Sequence, residues 1–169
     1  DLLLTVCAAI YDPVTTTDEL IPSGETSSYR SNPLRLSEFA LSRKDPQYVP
    51  RAKAIQKVER LRRQNPADPQ MAEALSGFDP TRTGLGSLVM ALKPGDGSAR
   101  EQAASCQRVL GGCANIAQEY ATKRYRSNVV NWGMLPFIAS DLEKINLQPG
   151  DRVYIPGVRA LLEGGGDTI

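Results

Sequence analysis

The sequence predicts an α/β domain, a compact β/β/α layering around one sheet, and three observations carry that expectation. The most apolar stretch, Leu2–Tyr11, is too short to cross a bilayer, has no basic N-terminal flank, and reads as a buried strand. A second apolar run, Leu85–Leu92, leads through Gly95-Asp96-Gly97-Ser98 into a helical pattern with Ala99, Ala103, Cys106 and Leu110 on one face. Beyond it, strand-like and helix-like segments alternate towards the C-terminus.

After the first strand, Asp18 follows three threonines and precedes Leu20-Ile21-Pro22, the place of an Asx-turn or N-cap residue. Arg30 follows the polar loop Ser23–Ser28; it is either a solvated charge or one that reaches inward from a flexible segment. Pro50–Gln64 reads as an amphipathic helix, Ala54, Ile55, Val58 and Leu61 opposing Arg51, Lys53, Lys57, Arg60, Arg62 and Arg63. Such a face is usually solvated; a nucleic-acid or subunit contact is the other reading. Pro66, Pro69 and Pro80, with Gly77 and Gly84, then break the chain into turns. Past the central helix, Cys113–Ala117 is a short strand, and Glu119–Trp132 a helix stopped by Gly133 and Pro136. Asp141–Leu147 is a further helix, and Pro149-Gly150-Asp151 turns into the strand Arg152–Pro156.

At 169 residues, 41% hydrophobic and 23% charged, the chain has room for one domain with a real core. A net charge of +1 argues against whole-surface binding of nucleic acid or membrane. Cys7, Cys106 and Cys113 are odd in number and lack CxxC spacing. They fit reduced thiols of a cytoplasmic compartment, acting as small core residues, better than a disulfide framework or a cluster site. The chain has no histidine, which excludes a His-dependent triad, a His-ligated zinc and a His general base. The opening at Asp1 and the ending Gly164-Gly165-Gly166-Asp167-Thr168-Ile169 suggest a fragment of a longer protein.

The stretch Lys93–Gln107 is the centre of the functional reading. At a strand–turn–helix junction the first helical N–H groups lack internal partners and the helix dipole adds positive charge, so an anion fits there. Gly95 and Gly97 permit close backbone approach, Ser98 offers a hydroxyl, and Arg100 a fork of donors shaped for a carboxylate or phosphate. The alternative is an ordinary turn with Ser98 as N-cap and Arg100 in solvent.

Three segments in order resemble the aconitase superfamily. GDGSARE followed by QAA resembles the Gly-Glu-Gly-Ser-Ser-Arg-Glu-His-Ala-Ala signature of the family's mobile C-terminal swivel domain. TTDELIPSGETSSYRSNPL, from Thr16, is similar to the family's Thr-Thr-Asp-His-Ile…Gly…Tyr-Arg-Gly, with Gly24, Tyr29 and Arg30 at corresponding offsets. Asn131–Phe137 resembles its Gly-Leu-Leu-Pro-Leu run. An ordered trio is far more specific than a lone GxGS.

The resemblance implies a single swivel domain over 1–169, of the aconitase/isopropylmalate dehydratase small-subunit type, with 40–83 a subgroup-specific helical and loop insertion. The implied function is hydro-lyase chemistry on a hydroxy di- or tricarboxylate. Ser98, as an alkoxide, takes a proton from carbon, Asp18 serves proton traffic or holds the network, and Arg30, Arg100, Gly97 and Ala99 bind substrate. Lowering a serine pKa that far takes oriented N–H groups, Arg100 and a nearby cation. The family's 4Fe–4S cluster would act as Lewis acid on the leaving hydroxyl, its cysteines lying in domains outside this chain. The implied partners are those cluster-bearing domains, in the same protein or in a large subunit, and a small hydroxy-carboxylate; the charge and the short apolar runs favour neither a membrane nor nucleic acid. Ala99 stands where many members have a second serine, and Gln102 where they have histidine, which marks a divergent subgroup. The isolated chain is expected to be inert. Two alternatives remain: a stand-alone small subunit of an isopropylmalate dehydratase-type enzyme, and a non-catalytic anion- or RNA-binding module using the Pro50–Gln64 face in the manner of cluster-free aconitase relatives.

Overall fold

The computed structural model describes residues 1–169. Strand β1, Leu2–Ile10, lies inside a five-stranded sheet because nearly every residue of it is apolar and can be buried on both faces. It pairs in parallel with β3, Gly84–Ala91, and antiparallel with β7, Arg152–Ile155. Strand β5, Gly112–Ala117, follows β3 in parallel, and β6, Leu135–Ile138, follows β5, giving the order β6-β5-β3-β1-β7. The proline-bearing β6 lies at the sheet's edge, where a missing N–H is tolerated. The sequence reading did not expect a strand there.

A bulge at Cys7 shifts the register between Val6 and Ala8, and this decides which face each residue serves. Leu4 and Val6 join Leu88, Met90, Ala114 and Ile116 on one face; Ala8 and Ile10, past the extra residue, join the other. The second face carries the larger core, built on helices α2 (Pro33–Ser37), α3 (Tyr48–Gln64), α5 (Arg100–Val109) and α6 (Lys123–Asn131). Short helices α7, Leu142–Ile145, and α8, Val158–Glu163, lend Leu142 and Val158 to the first face. Helix α1, Thr17–Leu20, and helix α4, Pro69–Glu73, complete the chain's helices, and no helix is long and apolar enough to cross a membrane.

Several boundaries differ from those expected. Helix α3 begins at Tyr48 rather than Pro50, the two added residues, Tyr48 and Val49, being buried in the core. Its buried residues are Tyr48, Val49 and Ala52, while Ala54 is exposed. The expected basic face is also thinner. Arg62 is 12% exposed, pairs with Glu59 at 2.8 Å and donates to the carbonyls of Pro80 and Thr83. Arg63 also pairs with Glu59, Arg51 with Asp45, and Lys53 with Glu38. Helix α6 starts at Lys123 instead of Glu119, since Thr122 accepts the Tyr125 N–H and caps it there.

The second β layer is a two-stranded ribbon of β2, Thr15–Thr16, and β4, Pro94–Asp96, paired in parallel beyond the carboxyl ends of β1 and β3. The Thr15 N–H donates to the Lys93 carbonyl at 2.9 Å. In open α/β sheets ligands gather at the carboxyl ends of strands, and the ribbon lies there.

Candidate functional site

The ribbon joins the segment from Thr16 to the turn before α5, two stretches some eighty residues apart in sequence. Thr16 starts α1 with a capping box: its hydroxyl accepts the Glu19 N–H, and the Glu19 carboxylate accepts the Thr16 N–H at 2.7 Å. This turns the buried Thr17 onto the glycine turn. Gly97 has φ +134°, and a Cβ built there would overlap Thr17 Oγ1. Gly95 has φ +100°, and a Cβ there would overlap the Tyr125 ring. Both positions therefore demand glycine for conformation and for space.

The start of α5 is open. Ala99 takes the N-cap position and has no side-chain acceptor to give, and the N–H groups of Arg100, Glu101 and Gln102 meet no acceptor. Ser98 is not the N-cap; it stands one residue earlier, exposed, and its hydroxyl makes no hydrogen bond within the protein. Arg100 is half-buried, and its Nε is enclosed without a partner. Uncompensated N–H groups and the positive end of the α5 dipole thus lie at the turn that carries Ser98, with Arg100 opening the same helix. A second helix begins against the turn, where Thr122, the N-cap of α6, donates its hydroxyl to the Gly95 carbonyl at 3.1 Å.

Asp18, one residue beyond Thr17, has its partners in place. One carboxylate oxygen accepts the Ser23 N–H at 3.0 Å and the Ser23 hydroxyl; the other accepts Arg43 at 2.9 Å. The Ser23 backbone bond, with Ser23 hydroxyl and Arg43 behind it, holds this carboxyl below the usual carboxylate range despite some desolvation. Arg43 also binds Glu25 at 2.9 Å, so a single guanidinium straps the Ser23–Ser28 loop to α1. Arg30 ends the 3-10 turn Ser27–Tyr29, exposed and without an ion pair or hydrogen bond. The structure therefore brings Thr17, Gly97, Ser98 and Arg100 together, sets Asp18 at their edge as a loop anchor, and leaves Arg30 free in solvent.

Thr17, Arg43, Thr122 and Tyr125 were missed in the sequence reading. A signal did exist for the first of them, since Thr16-x-x-Glu19 is a capping-box spacing that fixes where α1 begins and so where Thr17 points. Arg43 had none, its partners being contacts across the tertiary fold.

No group of His, Cys, Asp and Glu side chains is arranged to hold a metal ion. Cys7 and Cys106 are buried in the core, where desolvation pushes their thiols up to about 11 and about 12, opposite to what a ligating thiolate needs. These residues do not fit an iron–sulfur cluster.

The family model of the aconitase C-terminal domain matches residues 51–141, more than half of the chain, including the glycine turn, α5 and the Asn131–Phe137 run. No curated protein matches the chain. Among solved structures, a 3-isopropylmalate dehydratase (leuD) of Methanocaldococcus jannaschii superposes with a TM-score of 0.54 at 22% identity, covering 89% of this chain and 68% of that one. At that identity the likeness is one of fold. Sequence match and shared fold agree: the chain belongs to the aconitase C-terminal domain family.

Proposed function

We propose that this chain is the swivel domain of an aconitase-type hydro-lyase acting on a hydroxy di- or tricarboxylate. The observation that carries the proposal is the contact of Thr17 with Gly97 beside an uncapped α5: two motif segments distant in sequence meet where backbone donors are left open. In this reading Ser98 is the base. Its alkoxide takes a proton from the carbon next to a substrate carboxylate and becomes the neutral hydroxyl, while charge builds on that carboxylate. The open N–H groups and Arg100 favour the charged form of each partner, first the alkoxide and then the carboxylate. Arg30, unpaired on its loop, closes on a second carboxylate bidentately. Ala99 offers backbone and no hydroxyl, which leaves the substrate one donor fewer than a serine would provide.

Asp18 suits the holding role better than proton traffic, because its carboxyl is already spent on Ser23 and Arg43 and is kept ionised. The domain supplies base and carboxylate donors, and a 4Fe–4S cluster, the Lewis acid for the leaving hydroxyl, belongs to other domains or to a large subunit. The small-subunit and full-length arrangements share this chemistry. The nucleic-acid alternative has less to stand on, since four of the six cations of α3 already have carboxylate partners in the fold.

The test assays the 169-residue chain and the complete protein side by side on aconitate- and isopropylmalate-type acids. Turnover is expected only from the complete protein, and its loss on Ser98→Ala. Turnover by the chain alone, or full activity of Ser98→Ala, would overturn the proposal.

A further inference from the structure

Three fully buried polar side chains behind the turn have no part in the chemistry just described. The Tyr125 hydroxyl donates to Asn115 Oδ1 at 2.7 Å, Asn115 Nδ2 donates to Gln107 Oε1 at 2.7 Å, and Gln107 Nε2 donates back to the Tyr125 oxygen at 3.0 Å. The circuit closes on itself with every donor in it aimed one way. Gln107 spends its remaining N–H on the Ala103 carbonyl. The three residues are at most 3% exposed and come from α5, β5 and α6, so the circuit fixes these elements against each other in a water-free core.

The circuit faces the turn through the Tyr125 ring. That ring fills the space where a Cβ on Gly95 would be, and α6 grips the same residues from outside: the Ala121 N–H donates to the Pro94 carbonyl at 3.0 Å, and the Thr122 hydroxyl to that of Gly95. Gly95 is held between ring and cap, two residues before the contact of Gly97 with Thr17. Through its bonds to Tyr125 and Asn115, Gln107 ties down the same α5 whose first turn carries the open N–H groups. An oriented donor array is useful only if its direction is fixed, and a displacement of about 1 Å in such a site costs on the order of 100-fold in rate.

We infer that Tyr125 is a positioning residue for the Gly95–Ser98 turn, its ring seating Gly95 and its hydroxyl locking α5 through Gln107 and Asn115. The inference rests on the hydro-lyase reading only for its effect on turnover; the seating of the turn is a property of this chain alone. The test has two arms with Tyr125→Leu, which removes ring and hydroxyl, Tyr125→Phe, which keeps the ring, and Ser127→Ala, an exposed control on the same helix.

In the first arm, amide hydrogen exchange is followed on the 169-residue chain. Tyr125→Leu is expected to speed exchange at Gly95, Asp96 and Gly97 about tenfold beyond the rise shared by β1 and β3, with Tyr125→Phe keeping slow exchange at the turn but speeding it in α5, where the hydroxyl lock is lost, and the control unchanged. Wild-type exchange of α5 in Tyr125→Phe would overturn the hydroxyl's part. A uniform rise across the fold would reduce Tyr125 to an ordinary core residue and overturn the inference. If Tyr125→Leu does not fold, Tyr125→Phe with Thr122→Ala, which removes the cap's grip, replaces it with the same expected local rise. In the second arm the complete protein is assayed at a temperature where each variant is folded. kcat is expected to fall about 10- to 100-fold for Tyr125→Leu, with KM within twofold. Unchanged kcat in a folded, active protein overturns the inference; an inactive wild type counts against the hydro-lyase reading, and the exchange arm then decides the positioning role by itself.

Discussion

Replacing Gly97 by alanine tests the geometry of the turn most directly. At φ +134° an alanine is in a region that L-residues rarely occupy, a cost of about 1–3 kcal/mol. The new methyl also overlaps Thr17 Oγ1, and Thr17, 3% exposed and fixed in the first turn of α1, has no open side to retreat into. Overpacking of this kind adds about 1–3 kcal/mol. The two together come to roughly 2–6 kcal/mol, a large share of the roughly 5–15 kcal/mol typical of a domain. The assay is urea unfolding of wild type, Gly97→Ala, Thr17→Ala and the double variant. Thr17→Ala removes the clashing oxygen and should return about 1–2 kcal/mol of the loss as coupling energy, while the backbone cost remains. A loss below about 0.5 kcal/mol for Gly97→Ala, or strict additivity in the cycle, would show that the two segments do not meet as described.

Three further outcomes follow from the same structure. Ser98→Ala should leave the unfolding free energy from urea titration within about 0.5 kcal/mol of wild type, because the hydroxyl is exposed and unbonded; a larger drop would reveal a structural role. Asp18 has a folded pKa below its ordinary value of 3.8, so its stabilisation is present above that value and is lost as pH falls through the lower folded one. Asp18→Asn should therefore be less stable than wild type at pH 7, by the order of 0.5 kcal/mol for so exposed a pair, with the gap closing below about pH 3.8; a gap unchanged at low pH would refute the pairing. Cys7 and Cys106, raised to about 11 and about 12 by burial, should resist iodoacetamide at pH 7.5 until the chain unfolds, while half-buried Cys113 labels first. Rapid native labelling of Cys106 would contradict the packing of α5.

Much of the fold was legible because burial and period leave marks in the letters. Leu2–Ile10 is apolar at nearly every position, as a strand covered on both faces must be, and the break from Leu85–Leu92 into Gly95-Asp96-Gly97 marked the turn with little ambiguity. The helix boundaries were less visible. Tyr48 joins α3 through core packing, and Thr122 moves the start of α6 because a cap outweighs the pattern of residues before it. Strand β6 escaped notice since Leu135-Pro136-Phe137 makes sense as a strand only at an edge. In the candidate site, Ser98 and Arg100 are proposed from residue type and position, whereas the Asp18–Arg43–Glu25 strap and the Tyr125 circuit join residues that no local pattern links.

The sequence by itself determined the alternation of strand and helix, the glycine turn ahead of α5, the lack of any histidine chemistry and the membership suggested by three ordered motifs, because each is written in neighbouring residues. Only the tertiary structure decided that Thr17 touches Gly97, that Ala99 rather than Ser98 stands at the cap, that Arg62 is tied inward, and that Asp18 is a loop anchor. Those outcomes depend on which distant groups satisfy each donor once water is excluded, and that competition is resolved only when the sheet has brought the segments together.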